Sequence, residues 1–120
     1  MPAYDIRTDV KFGNLVHMDL AAEAARHQPW FNQTLTQVND SVVRLAVVEG
    51  EFHWHKHDEQ DEFFLCLDGQ LFIDVEGKGT VTLDRLQGYT VPKGVVHRTR
   101  APARTVILMV EQADVVPTGD

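Results

Sequence analysis

Hydrophobic and polar residues alternate through most of the chain beyond its first quarter, and one earlier stretch carries a helical pattern instead. In MDLAAEAARHQ (18–28), Asp19 stands as an N-cap, alanines supply propensity and Pro29 closes the segment. The spacing predicts a short, modestly amphipathic helix packed on the outside of something larger. From about residue 34 the pattern is that of strands. SVVRLAVVEG (41–50) is β-branched and ends at Gly50, EFHWHKH alternates, and EFFLCL runs to the Asp68-Gly69 turn. LFIDVE (71–76) alternates up to Gly77-Lys78-Gly79, and TVTLDRL alternates again before Gly88. YTVP, the segment around His97 and RTVILMVEQ bring the total to about eight strands, with turn residues roughly every 8–12 positions.

Such a series predicts an all-β fold, an antiparallel sandwich or barrel, rather than alternating β and α units. At 120 residues the chain is expected to form one domain with a real core. Its barrel core is placed at about 34–112 and its N-terminal arm and helix at about 1–33, with residues 1–16 irregular or weakly extended.

Composition narrows the function classes. Eighteen acids against 11 lysines and arginines give a formal charge of −7, which excludes a basic stripe for nucleic acid. No apolar run approaches the roughly 20 residues that span a bilayer, and the N-terminus lacks a signal pattern. The single cysteine, Cys66, has no internal partner for a disulfide and lies in the apolar FFLCL, where a free thiol serves as a small buried hydrophobe. A cytoplasmic protein with a small-molecule ligand, and neither nucleic acid nor membrane as partner, is the expectation.

The chemistry-bearing residues cluster in GEFHWHKHDEQDEFFLCLDG (50–69). Residues two apart on a strand share a face, so His55 and His57 can present their imidazoles to one cation, and His53 has the same parity. An imidazole pair with a carboxylate suits a borderline divalent metal such as Zn, Mn, Fe or Ni. Parity leaves the acid open among Asp58, Glu59, Asp61 and Glu62. VPKGVVH (91–97) sets the turn Pro92-Lys93-Gly94 three residues before His97, and such a turn can swing a third imidazole back toward an earlier strand.

Together these segments resemble the cupins, small jelly-roll barrels also described as double-stranded β-helices. The first cupin motif is matched by Gly50, His55, His57, Glu62 and Gly69, and the second by Pro92, Gly94 and His97, over roughly residues 41–111. The resemblance implies that His55, His57, Glu62 and His97 ligate one divalent transition metal (Fe, Mn, Ni or Zn). It also prefers His55, His57 and Glu62 over His53, His55 and Glu59, because only the former also fits the spacing to Gly69. There are departures. Gly50 lies one residue closer to His55 than in the family pattern, Gly88 lies four rather than six residues before Pro92, and Tyr89 and Ala101 replace an acid and an asparagine.

In a jelly roll the inward faces form a pocket. Residues of ligand parity there are His53, Phe64, Cys66, Thr99 and Ala101. His53, as a non-ligand beside the metal, is the candidate general base. Phe64, Cys66 and Thr99 are candidate substrate-binding residues. Arg44, alone in an apolar strand, is either a clamp for a substrate carboxylate or phosphate, or an edge residue with its guanidinium in water. Arg98, Arg100, Trp54 and Lys56 alternate away from the ligands.

The resemblance implies a metal-dependent enzyme acting on a small polar organic substrate, by dioxygenation, isomerisation or lyase chemistry. The alternative is a non-catalytic small-molecule binding or sensing barrel. Strand edges need cover, and small cupins commonly dimerise, so a homodimer is expected. Trp30 and Phe31 beside Pro29 place the arm over its own barrel or a partner's.

Overall fold

The computed structural model describes residues 3–120, so the first two residues of the arm lie outside it. Its elements are β1 (Asp5–Arg7), α1 (Leu20–Ala25), β2 (Phe31–Val38), β3 (Ser41–Glu51), β4 (Glu62–Asp68), β5 (Leu71–Val75), β6 (Gly79–Leu83), β7 (Gly88–Val91) and β8 (His97–Gln112). The expected helix is present, with the Asp19 carboxylate accepting from Ala22 N at 3.0 Å. Arg104 caps its other end by donating to the carbonyls of Ala24 and His27.

The strand pattern differs from expectation in three places. The barrel begins at Phe31 rather than residue 34, because β2 pairs antiparallel with β3 from Phe31↔Val47 onward. The segment around His97 and RTVILMVEQ form one strand, β8, instead of two. EFHWHKH, which alternates like a strand, leaves the regular ladder after Glu51, with Phe52 N still donating to the Thr99 carbonyl at 2.9 Å and the bridge His55↔His97 following.

β8 organises the barrel. Its C-terminal part lies between β3 and β4 (Arg44↔Met109, Phe64↔Met109), and its N-terminal part pairs with β5 (Phe72↔Arg100, Val75↔His97). β7 extends the ladder beyond β4 and β6 extends it beyond β5, so that the strands form one eight-stranded sheet that branches at β8. Side chains two apart on these strands point inward, so Ala46, Val48, Phe64, Cys66, Ile73, Ile107 and Met109 fill the interior. β3 is apolar on both faces because its outer residues Leu45 and Val47 pack with Ala24, Phe31 and Leu35 beneath the helix. The N-terminal arm covers its own barrel: β1 adds to β2 in parallel, and Tyr4 meets Trp30 edge-on at 5.2 Å.

On the outer face, Asp74 of β5 ties β5 to β6 and β8. It accepts from Arg98 Nε and Arg100 Nε, each at 2.8 Å, and from Thr80 Oγ1 at 2.6 Å. Arg98 and Arg100 therefore point away from the interior, as their parity predicts.

The Arg100 guanidinium, against the opposing effect of burial and with help from Thr80 and Arg98, holds the Asp74 carboxyl well below the usual carboxylate range. A carboxyl so depressed stabilises the fold above its unfolded pKa, near 3.8, and that contribution is lost as pH falls through the folded value. Asp74→Asn is therefore expected to lower stability at pH 7 by about 1–2 kcal/mol, the partners being partly solvated. In urea unfolding the gap to the unsubstituted protein narrows below about pH 4; a pH-independent gap contradicts the assignment.

Gly69 turns β4 into β5 at φ +92°, and a Cβ there would lie 2.5 Å from Thr105 Oγ1 and 3.0 Å from the Arg104 carbonyl oxygen. Gly69→Ala combines left-handed strain with a backbone clash, and should cost about 1–3 kcal/mol in chemical denaturation.

Candidate metal centre

The turn that carries His97 is docked rather than free. Gly94, at φ +79°, donates from its backbone N–H to the His57 carbonyl at 2.8 Å. Lys93 N donates to Asp61 Oδ1 at 2.9 Å, so Asp61 secures the turn and is not available as a ligand. His55 and His97 then exchange two backbone hydrogen bonds, each 2.9 Å long, which brings their rings to 4.5 Å. The convergence expected from strand parity is thus achieved by a bridge between a loop and β8.

His55, His57, Glu62 and His97 come together with one ligand atom each, all within 4.8 Å of one another. His57, Glu62 and His97 are buried and His55 is half-buried. Glu62 Oε1 lies 3.4 Å from His57 Nε2 and 3.3 Å from His97 Nε2. Two of the rings have a defined tautomer. His55 Nδ1 is 3.0 Å from the His53 carbonyl and His97 Nδ1 is 2.9 Å from the Val95 carbonyl. A carbonyl only accepts, so each Nδ1 carries the proton and each Nε2 keeps its lone pair for a ligand.

The charges favour the ligating forms. Burial, reinforced by His97 and His57, lowers the His55 pKa to about 4 against the opposing bond to the His53 carbonyl, so its ring is neutral at pH 7. Burial works against the Glu62 carboxylate, but the adjoining His57 and His97 rings and the facing Glu111 outweigh it and hold the carboxyl below the usual carboxylate range. His57 supplies the test of fit. Its ring is 2% exposed, yet neither ring nitrogen has a hydrogen-bond partner among the described residues. A buried polar group left so requires an explanation. A cation held by three imidazoles and one carboxylate provides one, and this donor set suits Zn, Fe, Mn or Ni.

His55 and Glu62 border a cavity of about 30 Å³, lined also by Phe64, Thr99, Phe52 and Met109. Phe64 and Thr99 are thus among the lining residues. The other pocket expectations need correction.

Cys66 is fully buried deeper in the core, its Sγ near the Asp68 and Gly69 carbonyls, and does not line the cavity; burial pushes its thiol pKa up. His53 is exposed, because the chain has left the sheet by then. It lies at the rim with Nε2 2.6 Å from the Thr118 carbonyl, not in the wall. The same terminal segment, 115–120, crosses the site: Pro117 lines the cavity and Gly119 packs against the His55 ring.

Arg44 is neither at an edge in water nor a clamp reaching the cavity. It is 2% exposed inside the barrel, where its Nε lies 2.7 Å from Glu111 Oε1 and its Nη1 donates to Thr34 Oγ1 at 3.0 Å. Glu111 is the counter-charge that the sequence left unassigned. It stands directly across from Glu62 in the β4–β8 ladder, so burial and the facing carboxylate push its carboxyl up while Arg44 pulls it down. An isolated Arg in an apolar strand implies an interior partner, and Glu111 has interior parity with Ile107 and Met109. Tyr4 and Asn32, also at the cavity, come from the arm and from the start of β2, where no strand was expected.

Residues 41–111, more than half of the chain, match the Cupin_2 family (cupin domain). The chain belongs to the cupins. This cupin is 48% identical over 87 residues to the uncharacterized protein YdbB of Bacillus subtilis, spanning 71% of this chain and 77% of YdbB. Among solved structures it resembles a cupin-2 domain-containing protein from Shewanella frigidimarina, at 31% identity and a TM-score of 0.75. That likeness covers 79% of this chain and 93% of the other. A putative mannose-6-phosphate isomerase from Ralstonia eutropha shares the fold at 21% identity and a TM-score of 0.67, over 81% and 97% of the two chains.

Arg44→Leu removes the cation that opposes the upward shift of the buried Glu111 carboxyl, and the donor to Thr34, and is expected to cost about 1–3 kcal/mol in urea unfolding. Arg44→Leu combined with Glu111→Leu should recover most of that loss. A double variant no better than the single one would show that the pair is not the coupled unit.

Proposed function

We propose that this cupin is a metal-dependent enzyme acting on a small polar organic substrate, with His55, His57, Glu62 and His97 holding one divalent transition metal. The buried, unpartnered ring of His57 within this ligand cluster carries the reading. When bound, such an ion supplies a Lewis acid that orients and polarises a substrate oxygen. The chain does the rest. The His53 and Val95 carbonyls fix two ring tautomers, Glu62 supplies the negative charge, Phe64 and Thr99 wall the cavity, and the 115–120 segment limits the entry of water.

The cavity size bears on the substrate. A volume of about 30 Å³ accommodates few heavy atoms, and neither lysine nor arginine lines it among the described residues. A sugar phosphate finds no cation there for its phosphate, so the isomerase name of the Ralstonia protein does not carry over. The reaction class follows from the metal: iron admits dioxygen chemistry, whereas zinc, without a redox couple, leaves isomerase or lyase chemistry.

Protein purified without chelators is expected to hold about one transition-metal ion per chain by elemental analysis, as one ligand set implies. His55→Ala or Glu62→Ala should reduce that content at least about tenfold, whereas Glu59→Ala, altering an exposed acid outside the cluster, should leave it unchanged. Equal loss from Glu59→Ala contradicts the ligand assignment. A metal-loaded protein that transforms nothing in a broad mixture of small acids, alcohols and carbonyl compounds is instead a binding barrel.

A further inference from the structure

Residues 116–120 lie beside the ligand cluster without belonging to a strand. Just upstream the chain is fixed. Ala113 N donates to the Asp40 carbonyl at 2.8 Å, Val115 N donates to the Gln112 carbonyl at 3.1 Å, and Val115 is buried. Beyond Val115 the segment meets the site at two points. Pro117 lines the cavity together with His55 and Glu62. Gly119, at φ +98°, lies flush on the His55 ring, where an added Cβ would fall 2.6 Å from His55 Cβ.

Three hydrogen bonds hold the segment down, and all of them reach the loop that carries His55 and His57. His53 Nε2 donates to the Thr118 carbonyl at 2.6 Å, Asp120 N to the Lys56 carbonyl at 3.0 Å, and Asp58 N to Asp120 Oδ2 at 2.7 Å. A turn bond from Gly119 N to the Val116 carbonyl, 2.9 Å long, keeps the segment together as a unit. Val116, Thr118 and Asp120 are exposed, so water can replace the three anchoring bonds at a small net cost for each. The arm on the other side is tied more firmly, by the β1–β2 ladder and by Tyr4 packed edge-on against Trp30 and Phe52. Exposed hydrogen bonds with little buried apolar contact mark a segment that opens locally while the barrel stays folded.

We propose that residues 116–120 form a lid, hinged between Val115 and Pro117, whose lifting opens the path to the ligand cluster. The closed space of about 30 Å³ has room for little more than water. A substrate of several heavy atoms therefore reaches His55 and Glu62 only when Pro117 and Gly119 move away. Closing does a second thing. Because the anchors are His53, Lys56 and Asp58, the closed lid also fixes the backbone on both sides of His55 and His57.

What the lid covers rests on the metal-centre reading, and one experiment separates the two. The metal-free full chain is treated with diethylpyrocarbonate, which acylates neutral imidazoles, and each histidine is followed by mass spectrometry. Asp120→Ala removes the acceptor of Asp58 N–H, and Gly119→Val drives a side chain against the His55 ring, so both unseat the lid. The rate at His55 is expected to rise about tenfold in Asp120→Ala, the equivalent of one hydrogen bond, and further in Gly119→Val. Exposed His17, far from the segment in sequence, should react at the same rate in all three proteins. A His55 rate unchanged in both variants overturns the lid. So does a rise that comes only with faster amide exchange throughout the β3–β8 ladder, which would be loosening of the whole barrel. Loading with cobalt(II) beforehand should protect His55. Absence of that protection overturns the metal-centre reading, while the two variants still decide the lid.

Discussion

The ladder of β8 is the constraint on which the other features depend. This strand pairs with β3 along most of its length, with β4 through its second half and with β5 through its first, so its register fixes both branches of the sheet at once. It starts at His97 and carries Glu111 one residue before its end. The same run of hydrogen bonds therefore sets a ligand of the cluster and the partner of Arg44. At its start, two backbone hydrogen bonds to His55 bring in a loop that has no regular structure of its own. Backbone pairing does here what side-chain parity was expected to do.

Burying charge inside a barrel is costly unless each charge is paired. This interior contains Arg44, Glu62 and Glu111, and it manages them in order. Arg44 faces Glu111, Glu111 faces Glu62 across the ladder, and Glu62 faces two imidazoles. His57 is the member of this series whose ring nitrogens make no hydrogen bond. The series explains why an arginine can stand in the middle of SVVRLAVVEG without disrupting it. It also explains why the polar interior is concentrated around the ligand cluster, while Cys66, Leu71 and Ile73 fill the apolar part of the core.

The cover over the cluster comes from chain segments outside the repeated strand pattern. Tyr4 and Trp30 approach from the arm and the entry to β2, and Pro117 and Gly119 approach from the last residues. These segments reduce the cavity to about 30 Å³ and hold His53 at its rim through Thr118. Cavity size, which bears directly on the class of ligand, is thus set by parts of the chain with little secondary structure.

Much of this was legible in one dimension. Strand alternation and the turn residues gave the all-β class, because inward and outward faces impose a period of two. Asp19 and Pro29 bounded the helix, and the two motifs picked out His55, His57, Glu62 and His97. What the one-dimensional pattern missed depends on partners far apart in the chain. Whether Arg44 meets water or a carboxylate is decided by a residue 67 positions away, and local periodicity contains no term for that pairing. Cys66 and Phe64 have the same parity, yet one is deep core and the other a wall, because depth along a strand is set by what closes the barrel's end. His53 alternates correctly with His55 but lies outside, since the strand ends at Glu51. The sequence by itself determined which residues can ligate and which faces turn inward, because both follow from local chemistry and spacing. Only the tertiary structure decided which buried charge meets which, and how much space remains beside the ligands, because those depend on closure of the barrel by distant segments.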